Sequence, residues 1–249
     1  MDCVQACPHD NIAVATRVPG LELVDPRRRS GIGLLARRRD VAAIVVLFVF
    51  GGLINALGMT APARAMEQSL VNLLGVRSEG PVLAALFAIV LIAIPISLLG
   101  IAGMLTATLT RRGLSSWLDV VTRYSYALVP LGFGVWLAHY GFHLLTGVLT
   151  LIPVTQSAVL DLIGWPALGT PLWQLTGMRP GLVFPIEVGV IVMGAGGSLV
   201  LAYLISERDY LERRVIATIP WAVVTIAITV AALWITSQPM DMRAVAFPG

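Results

Sequence analysis

From Val41 onward, long apolar runs are separated by short polar interruptions. That spacing is too long for the alternation of a half-buried strand or the 3.6-residue stripe of a soluble amphipathic helix. Runs of roughly twenty apolar residues match the helix length that crosses ~30 Å of hydrocarbon. Five are present, at about Val41 to Thr60, Leu83 to Leu105, Tyr124 to Ile152, Val183 to Ile205 and Val215 to Ile235. The pattern predicts an all-α polytopic membrane protein. Residues 1–40 form a cytoplasmic arm, 41–236 a five-helix transmembrane bundle and 237–249 a short external tail.

Local signals shape each run. Gly51, Gly52 and Gly58 allow a neighbouring helix to approach the first span closely. Pro95 predicts a kink in the second, with a freed carbonyl that a neighbour must satisfy. The third span follows the half-amphipathic stretch Leu114 to Arg123, carries Tyr124 and Tyr126 at the interface, and continues through Trp136, His139 and His143. Residues 61–80 read as a loop with a short amphipathic piece, Met66 to Leu74, lying at the membrane surface. The Pro-, Gly- and Trp-rich stretch from Pro153 to Gly181 is too interrupted for a span, and Trp165 and Trp173 suggest a segment in or dipping into the interface. Gly194-Ala195-Gly196-Gly197 is no dinucleotide fingerprint, because no strand precedes it; it predicts close helix packing.

Composition narrows the class further. Of 249 residues, 57% are hydrophobic and 12% charged, with a mean hydropathy of +0.85, which excludes a water-soluble single core. The pI of about 9.2 does not imply a nucleic-acid partner. All 17 basic residues are arginines clustered beside apolar runs, the pattern of topological charge. Seven precede the first span, and the next five segments hold two, three, one, three and one. This alternation predicts a multi-pass protein of the cytoplasmic (inner) membrane, with the N-terminus in the cytoplasm and the C-terminus outside.

Chemistry is concentrated first at the N-terminus, where Cys3-x3-Cys7-Pro8 matches the third and fourth ligands of the C-x2-C-x2-C-x3-C-P run that holds a 4Fe–4S cluster in bacterial-type ferredoxins. Two other readings of the residues stay open: a reduced, unliganded thiol pair, or a two-Cys copper or zinc site completed by His9. Continuing the ferredoxin spacing backwards puts the second Cys directly before Met1 and the first three residues earlier. With an apolar bundle behind it, the motif resembles the membrane-bound ferredoxin-type (polyferredoxin) proteins of periplasmic nitrate and nitrous-oxide respiration and of cytochrome oxidase assembly. The resemblance implies a bacterial electron-transport protein with redox partner subunits. It also implies a 4Fe–4S cluster ligated by Cys3 and Cys7 and completed by ligands absent from this chain.

Ionisable residues inside spans are the second concentration, since burying them in hydrocarbon is costly and marks function or a paired contact by default. His139 and His143, four apart, share one face of the third span. Glu187 opens the fourth span in the same half of the bilayer as His143, with Asn55 of the first span at a similar level, so the four are expected to cluster. The pair can ligate a metal side by side with a carboxylate, but cannot supply the opposed axial ligands of one haem. One of them can instead bind haem with a residue of another subunit, or bond a quinone carbonyl and relay its proton to Glu187; a hydrogen-bonded pair that merely fixes helix packing is the bland alternative.

The functional expectation is thus a membrane subunit of an electron-transfer system, with a 4Fe–4S centre at Cys3 and Cys7 and a quinone or haem site at His139, His143 and Glu187. A small-solute or metal permease and a non-catalytic assembly subunit are the alternatives. In the genomic frame upstream of Met1, a Cys codon is expected directly before Met1 and another three codons earlier. The native polypeptide, isolated without oxygen, should contain iron and acid-labile sulfide; the absence of both would remove the cluster.

Overall fold

Five helices long and apolar enough to cross a membrane make up the computed structural model, which describes residue 8 and residues 20–24, 33–111 and 116–240. The chain is an all-α polytopic membrane protein. Cys3, Cys7 and His9, the arginines at 27–29, and Arg112 and Arg243 lie outside the described residues.

The first span is α1, Arg39–Leu57, led by Arg37, Arg38 and Arg39. After a turn comes α2, Ala61–Leu74, started by Pro62, whose missing N–H costs nothing in a first turn, and stopped by Gly75 at φ +62°. Met66 to Leu74 is therefore helical, as its periodicity implied. The second span, α3, covers Gly80–Leu109. Ahead of Pro95 it contains a π turn, Ile89–Ala93, in which the Ile94 N–H reaches back to the Ile89 carbonyl. Sequence reasoning expected a kink with a carbonyl satisfied by a neighbour. The helix instead adjusts its own register by one residue where Pro95 interrupts the ladder.

The third apolar region, Trp117–Ile163, is broken into three helices. These are α4 (Trp117–Ser125), α5 (Val129–Gly147) and α6 (Leu151–Ile163). The helix expected to reach Ile152 thus ends at Gly147, and the chain turns through Val148–Thr150 into α6, which Gly164 stops at φ +77°. Residues 164–179 return to the end of α5: the Met178 N–H donates to the Leu145 carbonyl (2.8 Å) and the Leu149 N–H to the Thr176 carbonyl (3.0 Å). Gly177 permits this approach, since a Cβ there would collide with the backbone of Leu145 and Thr146. Gln156 of α6 donates to the Leu168 carbonyl and accepts from the Leu172 N–H, while Trp165 and Trp173 stay exposed. The last two spans are α7, Pro180–Asp209, and α8, Arg214–Ser237.

The spans form a ring in which α7 packs between α5 and α8, α8 packs on α3, and α1 closes the circuit against α5 and the π turn of α3. Because lipid is as apolar as leucine, such helices associate through close packing and polar contacts rather than through exclusion of water. The α5–α7 seam shows this: a Cβ on Gly194 would meet the Pro130 oxygen at 2.6 Å, and one on Gly134 the Val190 oxygen at 2.9 Å. Ser198 accepts the Leu131 N–H at 3.0 Å, meeting a donor that the start of α5 leaves free. Gly194 and Gly197 of the glycine run face α5, whereas Gly196 meets nothing within 4 Å. In α1, Gly52 receives the Trp136 indole, whose Nε1 donates to the Phe48 carbonyl at 2.8 Å; a Cβ on Gly51 or Gly58 would meet no other helix.

The arginine-rich end of the bundle is cross-braced. Tyr124 and Tyr126, expected at the interface, are buried in protein. The Tyr124 ring stacks on Trp221 at 4.7 Å and its hydroxyl bonds Ser206 (2.6 Å), which also accepts from Thr218 (2.8 Å). Trp221 Nε1 donates to Thr106 (3.1 Å), and Tyr126 donates to the Arg38 carbonyl (2.7 Å). Asp209 accepts from Arg123 (2.8 Å) and Arg208 (2.9 Å), tying α4 to α7. At the other end Thr60 and Met240 form an antiparallel bridge, with the Ala61 N–H donating to the Pro239 carbonyl (3.0 Å).

Gly194→Ala should push α5 and α7 apart, because its Cβ meets backbone that cannot rotate away, and lower stability by about 1–3 kcal/mol as overpacking does. Gly196→Ala, with open space around it, should be neutral or slightly stabilising. Thermal unfolding of the two variants in one detergent tests the contrast.

Candidate functional site

At the end of the bundle away from the arginines, the α5–α7 seam carries polar side chains into the interior. Two turns along α7 from Gly194 stands Glu187, and one to two turns along α5 from Gly134 stands His139. Both are buried, at 4% and 3% exposed, and they line one cavity of about 20 Å³. Leu53 and Ala56 of α1, Ala232 and Thr236 of α8 and, beyond α8, Met240 complete its wall.

The expected cluster exists with a different membership. Asn55 Nδ2 donates to His139 Nε2 at 3.1 Å, joining α1 to α5. His143 stacks edge-on against His139, with ring centroids 4.9 Å apart, and does not reach the Glu187 cavity. The reason lies in where α7 starts. The helix begins at Pro180 rather than at Val183, so Glu187 sits about 10 Å inside it at 1.5 Å per residue. That depth brings it level with His139, one turn below His143. Glu187 is accordingly buried rather than hydrated near the surface.

Hydrogen bonding fixes the histidine tautomer. A side-chain amide N–H can only donate, so Nε2 of His139 accepts and the proton of the neutral ring resides on Nδ1. That Nδ1 is buried with no hydrogen-bond partner, as is His143 Nε2. Glu187 makes neither a hydrogen bond nor an ion pair among the described residues.

A second, larger space opens on the far side of Asn55. This pocket of about 310 Å³ lies between α1, α2 and α3. Leu83, Leu86, Phe87 and Met66 make it apolar, while Asn55 and Glu67 are its polar groups. Glu67 is 4% exposed although it stands on the amphipathic helix expected to lie flat on the membrane. Sequence analysis missed it, and the one available signal was a carboxylate flanked by Met66 and Leu70 on the apolar side of that helix. Asn55 thus touches the pocket on one side and His139 on the other.

Each cofactor expectation can be set against these residues. The chain contains two cysteines, half the thiolates of a cubane, so its own residues do not hold a complete cluster. Haem does not fit at His139: Nε2 is occupied by Asn55 and the adjoining cavity is about the size of one water. Among the described residues no group of three His, Cys, Asp or Glu is placed to hold one metal ion. The 310 Å³ pocket falls within the size range of small-molecule sites.

No family model, no curated protein and no solved structure matches this chain.

Asn55→Leu should strip His139 Nε2 of its donor inside the bundle and destabilise the protein by about 1–3 kcal/mol, the cost of a buried polar atom left unmet. His143→Phe, which keeps a ring against His139, should cost less. Unfolding temperatures of the purified variants check the order.

Proposed function

We propose that this protein is a membrane subunit of an electron-transfer system and that the 310 Å³ pocket binds the ring of a quinone. The observation that carries this reading is the position of Asn55, which presents one polar group to an apolar pocket and hydrogen-bonds a buried histidine behind it. A quinone needs such an arrangement: apolar walls for ring and tail, and a few fixed polar groups for its oxygens. The mouth between α1, α2 and α3 suits a lipid-soluble ligand entering from the bilayer.

In this reading the arginine-rich end faces the cytoplasm, following the excess of basic residues there. The pocket then lies toward the outer face. Asn55 is about 24 Å along α1 from Arg39 at 1.5 Å per residue, too far for a cluster at Cys3 and Cys7 to touch the ring. Electrons therefore pass between the ring and a redox centre in a partner subunit, while the half motif at Cys3 and Cys7 is completed by thiolates from beyond this chain. The half motif is what supports the redox class over a permease. The 20 Å³ cavity beside His139 also leaves no room for a solute path at that point.

A photoreactive quinone analogue, added to the purified protein in lipid nanodiscs, should label peptides of α1, α2 or α3. Labelling should be displaced by short-chain quinone. Asn55→Ala should weaken binding roughly tenfold, equivalent to one hydrogen bond of about 1.4 kcal/mol. Labelling spread evenly over the lipid-facing surface, or unchanged affinity in the variant, would remove the quinone site.

A further inference from the structure

The cavity between His139 and Glu187 stands apart from the quinone pocket, and its chemistry is unfinished. Its wall is lined by His139, whose Nδ1 is buried without a partner, and by Glu187, which makes no hydrogen bond or ion pair among the described residues. Groups of this kind inside a protein are almost always hydrogen-bonded, to water if to nothing else. The cavity measures about 20 Å³, and one water needs roughly 10–15 Å³ of such space. Thr236 also lines it. Because the Thr236 hydroxyl already donates to the Ala232 carbonyl at 2.6 Å, its oxygen is left to accept.

We propose that this cavity is a binding site for a single water molecule, which links His139 to Glu187 as a proton relay. The water accepts from His139 Nδ1–H and donates to the Glu187 carboxyl and to Thr236 Oγ1. Three bonds of this kind are typical for a buried water. Asn55 holds Nε2 as an acceptor, which places the hydrogen on the Nδ1 that needs a partner. No other titratable side chain lines the cavity, and outside it the His143 ring lies edge-on against His139, with centroids 4.9 Å apart.

The relay conserves atoms and moves no electrons. When an acid on the Asn55 side delivers a proton to His139 Nε2, its own bond to hydrogen breaks and an Nε2–H bond forms. The Nδ1–H bond then breaks, the water takes that proton while passing one of its own to the Glu187 carboxylate, and a Glu187 O–H bond forms. For this step the Asn55 amide must turn away from Nε2, and the pocket beside it gives it space to do so. His139 and Glu187 are thus positioned to carry a proton across the α5–α7 seam. The site exists whether or not a quinone binds, so it is tested in quinone-free protein.

Solid-state NMR of protein labelled with ¹⁵N-histidine, in lipid bilayers, reads the site directly. His139 should appear as the neutral Nδ1–H tautomer, with magnetisation transfer between that proton and a bound water. Glu187→Gln, which still accepts, should retain the water contact, whereas Glu187→Leu should fill the cavity and abolish it. Asn55→Leu should release the tautomer preference. An Nε2–H tautomer in the native protein, or an Nδ1–H with no water contact, would overturn the proposal even if the leucine variants fail to fold. A failed quinone-labelling experiment would leave this result untouched.

Discussion

Close contact between α5 and α7 at Gly134 and Gly194 is the constraint on which the interior depends. Backbone meets backbone there, with Pro130, Leu131 and Val190 at distances that exclude a side chain. In a bilayer, packing and polar contact do what exclusion of water does elsewhere, and Ser198 adds a hydrogen bond at the same crossing. Following each helix from that point brings Ala138 and His139 opposite Glu187 and Ile191. The polar pair is therefore a product of the seam: its spacing is set by two glycines one to two turns away.

The two ends of the bundle treat their polar groups differently. At the arginine-rich end the tyrosine, serine, threonine and tryptophan side chains between α3, α4, α7 and α8 find partners in one another, and Asp209 holds two arginines. Such saturation rigidifies. At the opposite end His139 Nδ1 and His143 Nε2 are left without a protein partner, beside a water-sized cavity and a larger pocket. An unmet buried polar group costs on the order of 1–3 kcal/mol, and Arg123 Nε at the arginine-rich end is also left without a partner.

Helix irregularities make the space. The π turn before Pro95 sits in the part of α3 that borders α1, and Leu83, Leu86 and Phe87, earlier in the same helix, form one wall of the 310 Å³ pocket. On the other side, α2 folds back after Thr60 and supplies Met66 and Glu67. The bridge from Thr60 to Met240 holds this corner against the end of α8, and Met240 also closes the small cavity. Asn55 lines the pocket and His139 the cavity, and the hydrogen bond between them joins the two walls.

Apolar run length by itself determined the class of the protein and the number of its spans. Crossing a hydrocarbon layer leaves few options, and about twenty apolar residues in a row satisfy only one of them. The glycine run was legible as a packing seam for a similar reason, since nothing else in an apolar helix needs residues without side chains. His139, His143, Glu187 and Asn55 were visible as costly polar groups in spans. Which of them meet was decided only by the tertiary structure. A shift of three residues in where α7 begins changes the depth of Glu187 by nearly one turn, exchanging His143 for His139 as its neighbour. Glu67 and the inward turn of Tyr124 and Tyr126 likewise depend on how α2 and α4 fold against other helices. Periodicity along one helix records which face is apolar, but holds no information about the neighbour that covers it.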